Sequence, residues 1–105
     1  MANNKKQFAL LIDGDNAQAS LLPQIMKEIN KYGSIVISRI FGDWTSTRMN
    51  SWKSDLNVYS ITPIQQFSYT TGKNATDSAL IIDAMDILHT KDINAFCIVS
   101  SDSDY

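Results

Sequence analysis

The sequence has one cysteine, one histidine and no long apolar run. With a single Cys and a single His among 105 residues, it cannot form an intrachain disulfide and has few nitrogen and sulfur ligands for zinc. The apolar run that ends at Asp13 has only five residues, 8–12, too few for a membrane span or the core of a signal peptide. We therefore expect a cytoplasmic protein in which Cys97 behaves as a small hydrophobic residue.

The chain also lacks an excess of basic residues. Nine Lys and Arg residues against eleven Asp and Glu residues give a net charge of -2. A protein that coats nucleic acid by charge alone normally carries a strong positive field, which this chain does not have. An enzyme that meets phosphates through bound cations remains compatible with the composition, because an acidic cation site itself lowers the net charge.

Two common catalytic arrangements have no counterpart in the sequence. The four glycines do not form a glycine-rich phosphate-binding loop, and His89 stands alone at the end of a predicted helix, away from any serine that it could activate. The carboxylates are therefore the remaining candidates for catalytic groups.

Apolar segments alternate in type along the chain. Short β-branched or apolar runs predict strands at residues 8–12, 34–41, 57–61 and 96–100. Three-and-four spacing predicts helices at 18–32, capped by Ser20 and ended by Gly33, and at 74–90, with a short helix between the second and third strands. This alternation predicts an α/β fold with a mostly parallel sheet.

The first and last predicted strands both end in closely spaced carboxylates. Asp13 and Asp15 follow the first strand, and Asp102 and Asp104 follow the last. If the two strands are adjacent and parallel, their carboxyl ends meet at one edge of the sheet, where the sites of such folds lie. Because like charges at short distance repel, a hard divalent cation is expected to hold them together.

The helix at 74–90 adds a carboxylate to this edge. At about 100° per residue, Asp77 lies on one side of the helix with Ile81, Ala84 and Leu88, which we take as the sheet-facing side, whereas Asp83 lies on the other. Asp77 is also in the first turn of the helix, where the helix dipole favours a negative charge. We therefore predict that Asp77 faces the same edge of the sheet.

Asp13, Asp77, Asp102 and Asp104 are therefore the candidate metal-binding and catalytic residues. Carboxylate sites of this kind suit Mg²⁺ or Mn²⁺ rather than Zn²⁺. A divalent cation held by carboxylates serves phosphoryl chemistry by polarising a phosphate and activating a water. The residues alone thus predict a metal-dependent reaction at a phosphate.

Four segments in this order resemble the bacterial branch of the NYN domains, in the PIN-like nuclease superfamily. They are residues 12–16 (Ile-Asp-Gly-Asp-Asn), 41–44 (Phe-Gly-Asp-Trp), 72–77 with 82–85, and 99–105. The resemblance implies a three-layer α/β/α sandwich and Mg²⁺- or Mn²⁺-dependent cleavage of RNA. It implies the same four acidic positions. Because family domains continue through another helix and strand, we expect residues 1–105 to be one domain lacking its C-terminal part.

Other residues are assigned to supporting roles. We expect Asn16, Thr76 and Ser101 to donate hydrogen bonds to the metal ligands, and Asp15 to lie beside those ligands. Contacts with single-stranded RNA are expected from Lys73 and Arg48, through phosphates, and from Trp44, through base stacking. For Lys73 the alternative is a solvated loop position, and for Trp44 it is packing inside the protein.

Two other functions are compatible with the sequence. Asp13 and Asp15 fit the nucleophile and the acid/base of haloacid-dehalogenase-type phosphatases, although the residues that follow them differ from that pattern. A non-catalytic PIN-like module for RNA binding or scaffolding is the second alternative, and a homodimer is also left open.

Overall fold

A parallel sheet forms the centre of the molecule. The computed structural model describes residues 6–15, 17–66, 74–90 and 93–100, and within the last helix it describes the side chains of residues 80–89. Within this part of the chain, four strands pair in parallel in the spatial order β3-β2-β1-β4. They are β1 (Lys6–Asp13), β2 (Gly33–Gly42), β3 (Thr62–Gln65) and β4 (Ala95–Val99).

Helices cover both faces of this sheet. On one face lie α1 (Leu22–Asn30) and α2 (Asn50–Val58), each preceded by a 3₁₀ turn, and on the other lies α3 (Asn74–Thr90). This layering confirms the predicted α/β fold with a parallel central sheet. Over the described ranges, no helix is long and apolar enough to cross a membrane.

Strand β1 is buried on both of its faces. Leu10 and Ile12 pack in the cluster formed with α1 and α2, whereas Ala9 and Leu11 pack against α3, and all four are 0% exposed. Successive side chains of a strand point to opposite faces. A strand covered on both sides is therefore apolar without interruption. Asp13 continues the series that faces α3.

Helix α3 runs antiparallel to the strands. It follows β3, which ends at the carboxyl edge of the sheet, and it leads to Asn94 at the opposite edge. There the Asn94 backbone N–H donates to the carbonyl of Gln7 (3.2 Å), and the Gln7 N–H donates to the Asn94 side-chain oxygen (2.8 Å). Seventeen residues span about 25 Å, so the first turn of α3 lies at the carboxyl edge.

The predicted third strand at 57–61 is wrong. Helix α2 extends to Val58, Ser60 turns the chain with a φ of 55°, and β3 begins only at Thr62. Pro63 lies within β3. Among the described strands β3 pairs only with β2. An edge strand tolerates proline because one row of its backbone groups is outside the ladder.

The predicted ends of the first helix are also wrong. Ser20 lies in the 3₁₀ turn, and the N-cap of α1 is Leu21, which makes no side-chain capping hydrogen bond. Gly33 does not end the helix but opens β2. A Cβ at Gly33 would lie 2.0 Å from the carbonyl oxygen of Lys6, so the glycine permits the close approach of β2 to β1.

The face of α3 that meets the sheet differs from the predicted one. Leu80 and Ile87 are 0% and 1% exposed, whereas Ile81 and Leu88 are 50% and 52% exposed. The apolar residues of α3 are spread around its whole circumference, so their spacing alone does not define a buried face. The interactions of α3 with the sheet determine which face is buried.

An ion pair between α3 and β2 is one of these interactions. Arg39 Nη1 lies 2.6 Å from each carboxylate oxygen of Asp83, and both side chains are mostly buried. Asp83 therefore lies on the side of α3 that faces the sheet, contrary to the predicted phase. Asp77 precedes Leu80 by three residues, which places its helical position about 60° from that of Leu80. The position of Asp77 thus stays on the sheet-facing half of α3.

The cysteine lies inside the fold. Cys97 is on β4, partly buried, and packs against the cluster on the α1 and α2 face. Burial raises the pKa of its thiol, which keeps the side chain neutral and apolar.

We predict that Asp83→Asn destabilises the fold by about 1–3 kcal/mol, because it removes a charged, mostly buried hydrogen-bond partner of Arg39. Urea denaturation measures the free energy of unfolding. Glu28→Gln is the matched control, since Glu28 pairs with Lys31 while both side chains are more than half exposed. That control should change the free energy by less than about 0.5 kcal/mol. Equal effects of the two variants would show that the Arg39–Asp83 pair does not anchor α3.

Candidate metal centre

A carboxylate is buried where β1 meets β4. Asp13 is the last residue of β1 and is 0% exposed. In the parallel register Ile12 lies opposite Val99, so Ser100 follows at the level of Asp13. The Ser100 hydroxyl donates a hydrogen bond to Asp13 Oδ2 over 3.2 Å. The carboxyl ends of β1 and β4 are therefore joined by side chains as well as by the sheet.

This junction is the topological switch point of the sheet. The chain leaves β1 through α1 on one face toward β2, whereas β4, on the other side of β1, is reached through α3 on the opposite face. Connections that diverge in this way leave a crevice at the carboxyl ends of the two strands, where open α/β folds bind their ligands. Asp13 and Ser100 are the residues at the two strand ends that border this switch point.

The backbone after Asp13 is held against β2. The Gly14 N–H donates to the carbonyl of Phe41 (2.8 Å), and the Ala17 N–H donates to the carbonyl of Asp13 (2.9 Å). A Cβ on Gly14 would lie 2.6 Å from Met49 Cε and 2.8 Å from Ile40 Cγ2. Glycine is thus needed here for close approach of the loop to the core.

A polar network fixes the loop after β2. Asp43 Oδ1 accepts hydrogen bonds from the Thr45 hydroxyl (2.5 Å), the Gln65 amide (2.9 Å) and the Thr45 N–H (3.1 Å). The Thr45 hydroxyl, then Gln65, then the Thr45 N–H hold the pKa of Asp43 below its ordinary value, with a smaller effect of the Arg48 charge. Sequence reasoning gave Asp43 no role. The Asp-x-Thr spacing is the signal of this side-chain turn.

Two of the residues predicted to contact RNA lie near this loop. Trp44 is partly buried, its indole N–H donates to the carbonyl of Ile64 (3.2 Å), and its backbone N–H donates to Gln65 Oε1 (2.9 Å). Arg48 is exposed on the 3₁₀ turn before α2. Stacking by Trp44 and phosphate binding by Arg48 stay predictions.

The other predicted residues are described to different extents. Asp15 is partly buried, and its Oδ1 lies 3.1 Å from where a Cβ on Gly42 would stand. Asp77 and Thr76 are in the first turn of α3, where the backbone alone is described. Outside the described residues lie Asn16, Lys73, Ser101, Asp102 and Asp104.

Asp13 is therefore the one predicted metal ligand whose side chain is described. Within the described ranges, no group of three His, Cys, Asp or Glu side chains could hold a metal ion. What the structure offers is a fully buried carboxylate with a hydroxyl beside it at the switch point. Oxygen ligands of this kind fit Mg²⁺ or Mn²⁺.

The comparison with protein families finds a match over nearly the whole chain. The family model described as NYN domain matches residues 7–105. No curated protein and no solved structure matches the chain significantly.

We predict that the Asp43 network weakens in acid. Because the pKa of Asp43 is lower in the folded chain than its unfolded value of about 4, its stabilisation is fully present above that unfolded value. It is lost as the pH falls through the folded pKa. The difference in free energy of unfolding between wild type and Asp43→Asn should therefore shrink as the pH falls from about 6 to about 3. Urea titrations at a series of pH values measure it, and a constant difference would contradict the assigned hydrogen bonds.

Proposed function

The chain belongs to the NYN domain family, and on this premise we propose that it is a ribonuclease that uses Mg²⁺ or Mn²⁺ to hydrolyse RNA. NYN domains are generally nucleases, so hydrolysis of a phosphodiester is the reaction class that the family supports. We propose endonucleolytic cleavage, with Asp13, Asp77, Asp102 and Asp104 as the acidic residues of the site.

The observation that carries this proposal is the hydrogen bond from Ser100 to Asp13. It brings the chain that leaves β4 into contact with the carboxylate that ends β1. Asp102 follows Ser100 by two residues, and two peptide units span at most about 7 Å. We therefore assign Asp102, and Asp104 after it, to the same site as Asp13.

The direction of α3 supports the inclusion of Asp77. Its first turn lies at the carboxyl edge, and α3 packs on the face of the sheet toward which the Asp13 position alternates. Asp77 is three residues before the fully buried Leu80. A carboxylate at this position would approach the switch point from the α3 face of the sheet.

The chemistry of the donor set favours a hard cation. Asp13 is 0% exposed, and each further carboxylate placed beside it adds like-charge repulsion that a divalent cation relieves. When bound, Mg²⁺ or Mn²⁺ supplies charge neutralisation at the phosphate and activation of a water.

The remaining residues orient the ligands and the substrate. Ser100 holds one oxygen of Asp13, which fixes the direction of the other. By their sequence positions beside the ligands, we assign donated hydrogen bonds of the same kind to Asn16, Thr76 and Ser101. We place Asp15 beside the ligands without such a bond, because an ionised carboxylate only accepts hydrogen bonds. Because the net charge is -2, RNA contacts must be local, and we assign them to the exposed Arg48 and to Lys73. Single-stranded RNA is the substrate class that we propose.

We predict that Asp13→Asn and Asp77→Asn each reduce Mn²⁺-dependent cleavage of single-stranded RNA by more than about 100-fold. That loss exceeds the effect typical of mutating an outer partner of a metal ligand. Asparagine keeps the volume and, at position 13, an acceptor for Ser100, so melting curves should show a folded protein. Asp86→Asn is the control, because it removes the same charge from an exposed position on α3 and should leave cleavage intact.

Three outcomes would contradict the proposal. Full cleavage by Asp13→Asn would remove this residue from the site. A phosphoaspartate trapped at Asp13 would identify a haloacid-dehalogenase-type phosphatase instead. RNA that binds wild type but stays intact after long incubation with Mn²⁺ would identify a non-catalytic binding module.

A further inference from the structure

A buried tryptophan reaches the loop that carries Asp13. Trp52 lies in the first turn of α2 and is 2% exposed. Its indole N–H donates to the carbonyl of Gly14 over 3.1 Å, across 38 residues of sequence. A buried indole N–H requires an acceptor. Here the acceptor is the residue next to Asp13 rather than a carbonyl inside a core strand.

This bond completes the restraint of Gly14. The peptide before Gly14 is held through its N–H by the carbonyl of Phe41 (2.8 Å), and the peptide after it is held by Trp52. Glycine has the widest backbone freedom of any residue, so its two torsions are fixed only when both flanking peptides are fixed. Those torsions set the directions of Asp13 and Asp15 relative to each other.

The packing around Gly14 supports the same conclusion. Met49, which is 0% exposed, lies where a Cβ on Gly14 or on Gly42 would stand, at 2.6 Å and 2.8 Å from its Cε. The 3₁₀ turn thus contacts the loop through the Met49 side chain, and the start of α2 contacts it through the Trp52 hydrogen bond. Phenylalanine at position 52 would fill most of the same core volume but could not make that hydrogen bond.

We propose that Trp52 is a positioning residue for the metal centre, which acts by holding the Gly14 peptide so that Asp13 is presented to the cation. This inference rests on the proposed function, because it assumes that Asp13 binds a divalent cation. Trp52 itself contacts neither the cation nor the substrate.

The test compares Trp52→Phe with Trp44→Phe. Both variants delete an indole N–H that donates to a backbone carbonyl, at 3.1 Å and 3.2 Å, but the Trp52 hydrogen bond ends on Gly14 in the loop of Asp13, whereas that of Trp44 ends on Ile64. The probe is Mn²⁺ alone, followed as loss of the free-ion signal in electron paramagnetic resonance. RNA binding by Trp44 therefore does not enter the measurement. Hydrogen exchange of the Gly14 amide, followed by NMR without metal, is the second readout.

We expect Trp52→Phe to weaken Mn²⁺ binding by about tenfold, the lower range for loss of a partner that orients a metal ligand. Exchange of the Gly14 amide should accelerate beyond the change in global stability. Trp44→Phe should shift the Mn²⁺ dissociation constant by less than about twofold. Unchanged Mn²⁺ binding and unchanged Gly14 exchange in Trp52→Phe would overturn the inference and leave Trp52 as a core residue.

Two further outcomes are separable. If wild type binds no Mn²⁺, the proposed function fails, and Gly14 exchange alone decides whether Trp52 fixes the loop.

If Trp52→Phe does not fold, a smaller change at position 52 is available. The chain has two tryptophans, so replacing Trp44 leaves Trp52 as the one site for a tryptophan analogue. In the Trp44→Phe background, benzothienylalanine incorporated in place of the remaining tryptophan keeps the ring size and removes the N–H. The same weakening of Mn²⁺ binding is expected there, and its absence would overturn the inference.

Discussion

The parallel pairing of β1 with β4 is the contact on which the candidate site depends. It places two segments that are 87 residues apart at the same edge of the sheet, with Asp13 on one and Ser100 on the other. The helices that connect to them lie on opposite faces of the sheet, which makes the junction of β1 and β4 the topological switch point. A different strand order would separate the two acidic segments.

The approach of the β1–α1 loop to β2 is the second constraint. Gly14 and Gly42 lie against Met49, whose Cε would be less than 3.0 Å from a Cβ on either glycine, and the indole N–H of Trp52 donates to the carbonyl of Gly14. Asp13 and Asp15 therefore project from a backbone that is held by contacts with the core as well as by the Ala17–Asp13 hydrogen bond of its own turn. A cation site gains from such preorganisation, because its ligands need not be ordered when the ion binds.

The sequence predicted the fold where periodicity and composition agreed. The bounds of α3 matched the prediction, and β1, β2 and β4 lay within two residues of it, since these segments have unambiguous patterns. The buried face of α3 did not match the prediction. Apolar residues occur all around this helix, so its orientation depends on the Arg39–Asp83 ion pair, which joins residues that are distant in the sequence. The prediction of the third strand was wrong because α2 continues through Val58, so that β3 begins later and contains Pro63 as an edge strand. At the site, the contact between Asp13 and Ser100 could be expected once β1 and β4 were predicted to be adjacent. The contact of Trp52 with Gly14 could not, because it depends on how α2 packs against the loop.

The direct test of the account is the location of Mn²⁺ in crystals soaked with this ion, read from anomalous difference density. The account predicts a peak at about 2.0–2.6 Å from a carboxylate oxygen of Asp13, the range for hard divalent cations and oxygen ligands, with Asp102 on the same ion. Peaks remote from Asp13, or an Asp102 carboxylate that points away from it, would contradict the convergence of β1 and β4 on one metal centre.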